Sequence, residues 1–127
     1  MVHVIARVDF FPTEEQDKVR RSLLNMFPNA EVTVTDDEMV ARTDDLSRFK
    51  ELIRNHKILD STRAVMLQGL REGRTTFLLN KQAAFVGKVS FAEGRSPMGP
   101  VTVEMEGEDM EALIDDVAPG TVNGEIP

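Results

Sequence analysis

A chain of 127 residues, 41% hydrophobic and 29% charged, is long enough for one globular domain with a real core, and it needs neither metal nor disulfide to fold. It contains no cysteine, which excludes disulfides, zinc–thiolate sites, iron–sulfur clusters and thiol nucleophiles. The net charge of −7 argues against nucleic acid when taken alone, but it is unevenly spread: residues 1–41 carry −4, residues 42–95 carry +5 and residues 96–127 carry −8.

The first expected element is a strand over residues 2–10, with Val2, Val4, Ala6 and Val8 forming an apolar face against His3, Ile5, Arg7 and Asp9. The polar residues interrupt any continuous apolar run, so this start does not read as a signal peptide. No segment approaches the ~20 apolar residues of a membrane span, and a cytoplasmic protein is expected. Thr13 and Gln16 have the spacing of a capping box, predicting a helix to about Phe27 with Val19, Leu23, Met26 and Phe27 inward. Residues 30–35 and 38–42 read as two strands of a hairpin around Asp36-Asp37. Asp44 or Asp45 caps a second helix whose buried stripe is Leu46, Phe49 and Ile53.

Asp60-Ser61 opens a third helix, predicted to reach Leu70 or Arg71 and to close at Gly73. A strand at 75–79 follows, then a turn of helix and a further strand within LNKQAAFVGKVSF, then the loop AEGRSPMGP. Val101, Val103 and Met105 alternate as a last strand, and Glu108 or Asp109 starts an acidic helix ended by Pro119-Gly120. The order predicts a single α+β domain over residues 1–119, with a flexible tail at 120–127.

Three features could carry chemistry. Lys50, Arg54 and Lys57 lie at i, i+4 and i+7, within about 60° on a helix wheel. Such a row suits a phosphate backbone; the plainer alternative is a solvated face. Arg63 projects among Met66, Leu67 and Leu70, so it either pairs with a carboxylate, Asp60 being one candidate, or stands at a cleft. Asn80, Lys81 and Gln82 follow an apolar strand directly, with Lys88 and Arg95 beyond, a place where ligands are often met. Two histidines, His3 and His56, are too few for most triads or metal centres, and the pairs Asp36-Asp37 and Asp115-Asp116 read as a turn and a solvated helix face. No catalytic residue, metal or cofactor is expected. Tyr and Trp are absent, so base-stacking platforms are poorly supplied.

The segments HKILDSTRAVMLQG and FLLNKQAAFVGKVSFAEGRSPMGPV, with VDFFPTEEQDKVRRSLLNMFPNAE near the start and ALIDDVAPG near the end, resemble a conserved archaeal family of uncharacterised proteins to which RNA binding is ascribed. The resemblance covers nearly the whole chain. It implies an α+β two-layer sandwich, a mixed or antiparallel sheet packed by helices, similar to the large-subunit ribosomal protein of the L-five type. It singles out Arg63, Asn80, Lys81, Gln82, Lys88, Ser96 and Gly99. Together these readings predict a non-enzymatic RNA-binding protein. Lys50, Arg54, Lys57, Lys81 and Lys88 would meet phosphates, and Asn80 and Gln82 would meet sugar or base edges. The rival is a protein–protein interaction module, or a homodimer in which acidic ends meet the basic segment. An enzyme of unknown class is third, and it requires a pocket that gathers Arg63, Asn80, Lys81 and a carboxylate.

Overall fold

The computed structural model describes residues 2–92 and 99–121. Strand β1 (His3–Asp9) buries Val4, Ala6 and Val8 and turns His3, Ile5, Arg7 and Asp9 to the opposite face, as its alternation predicts. Helix α1 (Gln16–Leu24) leads to the hairpin of β2 (Glu31–Val34) and β3 (Glu38–Thr43). Helices α2 (Ser47–Asn55) and α3 (Leu59–Gln68) follow, then β4 (Leu70–Arg71) and β5 (Arg74–Asn80). Helix α4 (Lys81–Phe85), β6 (Pro100–Glu106) and α5 (Met110–Val117) complete the chain.

The six strands form one sheet in the order β2-β3-β1-β6-β5-β4, and every pairing is antiparallel. The register places Val4, Ala6 and Val8 beside Met105, Val103 and Val101 on one side and beside Thr43, Ala41 and Met39 on the other. One sheet face thus becomes a continuous apolar floor, and the helices supply the second layer. Phe27, Phe49, Phe77 and Phe91 run through the core as a chain of rings with centroids 5.7, 6.0 and 5.9 Å apart. The core is contiguous, so the α+β expectation holds, and the sheet is antiparallel rather than mixed.

Several boundaries differ from the sequence expectation. The Thr13–Gln16 capping box does not form: α1 begins at Gln16, and its N-cap Glu15 makes no side-chain cap. Instead the Glu14 carboxylate accepts the Phe11 amide at 2.9 Å and tightens the preceding turn. Helix α3 starts at Leu59, before Asp60, and closes at Gly69 instead of Gly73. A Cβ at Gly69 would lie 2.1 Å from the Thr76 carbonyl oxygen, so β5 crosses where only glycine fits. Leu70 and Arg71 pair with β5 as a strand, through a turn in which Glu72 and Gly73 have φ of 50° and 77°. The strand expected after α4 is reduced to a single bridge between Leu79 and Phe91. Of the tail expected at 120–127, Thr121 is held by Asp60, its amide and hydroxyl lying 3.1 and 2.5 Å from the carboxylate. Residues 122–127 and most of the Gly/Pro loop, 93–98, lie outside the described residues.

Candidate nucleic-acid interface

The basic middle of the chain meets the acidic end inside the molecule. Helix α5 begins at an N-cap, Asp109, whose carboxylate accepts the Ala112 amide at 3.0 Å, and it buries Met110, Leu113, Ile114 and Val117. That amphipathic spacing turns Asp115 and Asp116 outward toward α3 and α2. Arg63 donates to Asp115 at 2.7 Å and to the Ala118 carbonyl at 3.2 Å. It therefore takes a carboxylate partner, and the partner is Asp115 rather than Asp60, which is engaged with Thr121. Lys50 donates to both oxygens of Asp116 at 3.1 and 3.0 Å. Both contacts are partly solvent-exposed, so each contributes at most about 1 kcal/mol, but each places a carboxylate beside a candidate phosphate ligand.

The other two members of the α2 row are different. Arg54 is exposed in the last turn of α2, where a cation complements the helix dipole, and it has no ion pair among the described residues. Lys57 is exposed in the short link to α3 and holds a left-handed backbone, φ 56°, while its amide donates to the Arg54 carbonyl at 3.1 Å. A lysine in this region costs on the order of 1 kcal/mol relative to glycine.

The Asn80–Gln82 run divides by role. Asn80 caps α4, its side-chain oxygen accepting the Ala83 amide at 2.9 Å. Lys81 turns inward and is 6% exposed. Its ammonium donates to the Asp9 carbonyl at 2.7 Å and to the Glu14 carboxylate at 2.8 Å, and lies 5.7 Å from the centre of the Phe11 ring. These bonds tie α4 to the end of β1 and to the turn before α1, and they enclose the ammonium away from any large polyanion. Gln82 remains exposed. It borders a cleft of about 350 Å³ between α1 and α4, whose wall includes Glu14, Lys18, Ser22, Lys81 and Phe85.

Lys88 is exposed just after α4, its amide donating to the Ala83 carbonyl at 2.9 Å, and Gly87 supplies the positive φ of 79° that the chain needs there. Gly99 has φ 76° and leads into β6, and Ser96 lies outside the described residues. The cleft joins Lys81 to a carboxylate, but Arg63 is engaged with α5 and the Asn80 side-chain oxygen with its own helix, so the enzyme constellation does not assemble. Among the described residues no group of three His, Asp or Glu side chains could hold a metal ion, and no helix is long and apolar enough to cross a membrane.

Hydrogen bonds from the Ser47 side chain and amide and from Asn29 hold Asp45 down, from the usual 3.8 to about 2. Its Oδ1 accepts the Ser47 amide at 2.9 Å, so Asp45 bonds the start of α2 from the position before the N-cap, Leu46, which itself makes no side-chain cap.

The sequence reading missed Glu14 as the partner of Lys81, and it missed the charged composition of the outer sheet face. There Arg7 donates to Glu104 at 2.8 Å and Arg74 to Glu106 at 3.2 Å. The alternation of β1 reveals Arg7 from sequence; the remaining positions require the register.

Residues 3–106 match the model of a family described as RNA binding. The UPF0201 protein MK0399 of Methanopyrus kandleri is 40% identical over 95% of this chain and 87% of that protein. The crystal structure of the UPF0201 protein from Methanococcus jannaschii superposes with a TM-score of 0.91 at 38% identity, covering 98% of each chain. A UPF0200/UPF0201 protein of Archaeoglobus fulgidus is 34% identical over 97% of this chain, which spans 39% of that longer protein.

Proposed function

The chain belongs to the UPF0201 proteins and to the family described as RNA binding, and on that premise we propose that it contacts RNA, without catalysing a reaction on it, through cations that the fold leaves exposed. The family match over residues 3–106 carries this reading. The contact set differs from the one the linear charge pattern suggests. Lys50 and Arg63 face carboxylates of α5 and Lys81 is enclosed, so Arg54, Lys57 and Lys88 are assigned to phosphates and Gln82 to a sugar or base edge. Phe27, Phe49 and Phe77 are buried, so recognition rests on backbone and shape more than on stacking. A fold likeness to the ribosomal protein of the L-five type is part of the same reading and accords with contacts of that kind.

Three phosphate contacts give a slope of log K against log salt of about −2 on single-stranded RNA. Filter binding between 50 and 200 mM salt measures it. Absence of binding at the lowest salt would reject the proposal.

A second reading is favoured by the Archaeoglobus fulgidus relative, a UPF0200/UPF0201 protein of which this chain spans 39%. On that reading this chain docks with a separate UPF0200 protein, and co-purification of the pair under RNase treatment tests it.

A further inference from the structure

Among the described residues, helices cover one face of the sheet, and the other face carries both apolar and charged side chains. Ile5 on β1, Val40 on β3 and Leu78 on β5 point to this side, with Thr76, Thr102 and the Arg7–Glu104 ion pair among them. Val40 is 7% exposed although it lies outside the core cluster, so its neighbours on the outer face already shield it from water. Charges of both signs are interspersed on this face, and two small groups of them stand at opposite ends. The β5–β4 corner carries Arg74 and Arg71, cross-strand neighbours on this face. At the diagonally opposite corner, Asp9 of β1 pairs with Glu38 of β3, beside the Asp36-Asp37 turn. Both corners are exposed except for Glu38, which is half-buried; Arg74 also donates to Glu106 of its own chain, while Arg71, Asp9 and Glu38 have no ion pair among the described residues.

We propose that this outer sheet face is the contact surface of a homodimer, in which the Arg71/Arg74 corner of one copy sits on the Asp9/Glu38 corner of the other. A two-fold axis lying in the interface along the remaining diagonal exchanges the two corners. One axis therefore satisfies both sets of charges, which is what an isologous contact requires. Ile5 and Leu78, both half-buried in the single chain, then approach their counterparts across the axis.

The size is adequate. Six strands of two to seven residues, at about 4.8 Å between strands and about 3.4 Å per residue, give a face on the order of 500 Å² in plan. With side-chain relief this compares with the about 800 Å² of accessible surface per partner in a standard interface. A polyanion fits less well, because Asp9, Glu31, Glu38, Glu104 and Glu106 lie among the arginines of this face.

Charge exchange tests the arrangement. Sedimentation equilibrium at low salt should give the wild-type chain about twice its 14.2 kDa mass. RNase treatment should leave that mass unchanged. Arg71→Glu with Arg74→Glu should give monomers, as should Asp9→Lys with Glu38→Lys, and an equimolar mixture of the two variants should restore the double mass. Ile5→Arg at the face centre should also give a folded monomer, checked by circular dichroism. A wild-type monomer at about 100 µM, variants that remain dimeric, or a mixture that stays monomeric would each overturn the proposal. A double mass that RNase abolishes would overturn it as well, since RNA and not this face would then hold the copies together.

Discussion

Replacing Lys81 by alanine separates a structural lysine from a phosphate ligand. In the folded chain its ammonium holds the Asp9 carbonyl and the Glu14 carboxylate, and the two side chains of that ion pair are 6% and 12% exposed. Lys81→Ala leaves Glu14 ionised and largely enclosed. The expected loss is about 3–5 kcal/mol, the range for stripping one partner from a buried pair. That is a large part of the ~5–15 kcal/mol that holds a domain of this size together, and it lowers the melting temperature by about 10–20 °C. Urea denaturation and thermal melts followed by circular dichroism measure it. The double variant Lys81→Ala with Glu14→Gln should recover part of the loss, because no carboxylate is then left unpaired, and the mutant cycle should show a coupling above about 1 kcal/mol. A stability change below about 1 kcal/mol, accompanied by a clear fall in RNA affinity, would refute the placement of Lys81 inside the fold.

Lys57→Gly should raise stability by about 0.5–1 kcal/mol, because the residue adopts φ 56°, and should weaken RNA binding in filter assays at the same time. Gly69→Ala should destabilise by about 1–3 kcal/mol or more in urea melts, since the new methyl group meets backbone at 2.1 Å. Asp45 has its carboxyl lowered from 3.8 to about 2, so its contribution is complete above about pH 4 and is lost as the pH falls toward 2. Asp45→Asn cannot titrate, so the difference in urea midpoint between wild type and variant should shrink over that window; a constant difference would remove Asp45 from the cap of α2.

Much of the fold is legible in the sequence because it rests on short-range periodicity. Val4, Ala6 and Val8 announce β1, Val101, Val103 and Met105 announce β6, and Leu46, Phe49 and Ile53 announce α2. The misplaced boundaries are tertiary in origin. Leu70 and Arg71 continue a helical pattern locally, but β5 offers them backbone partners, and Gly69 is required by the proximity of Thr76. The candidate site is less legible for the same reason. Arg63 announces itself as a charge on an apolar face, yet its partner Asp115 is 52 positions away, and Lys81 meets Glu14 across 67 positions. Linear charge sorting picks out a basic segment but cannot tell which of its residues the acidic helix engages, here Lys50 and Arg63.

The most direct measurement compares salt dependence of RNA binding between the wild-type chain and the triple variant Arg54→Gln, Lys57→Gln, Lys88→Gln. Removing three phosphate contacts should flatten the slope of log K against log salt by about 2, while Arg71→Glu with Arg74→Glu on the sheet face should leave it unchanged. An unchanged slope in the triple variant would contradict the assignment of RNA to the exposed cations of the helical layer.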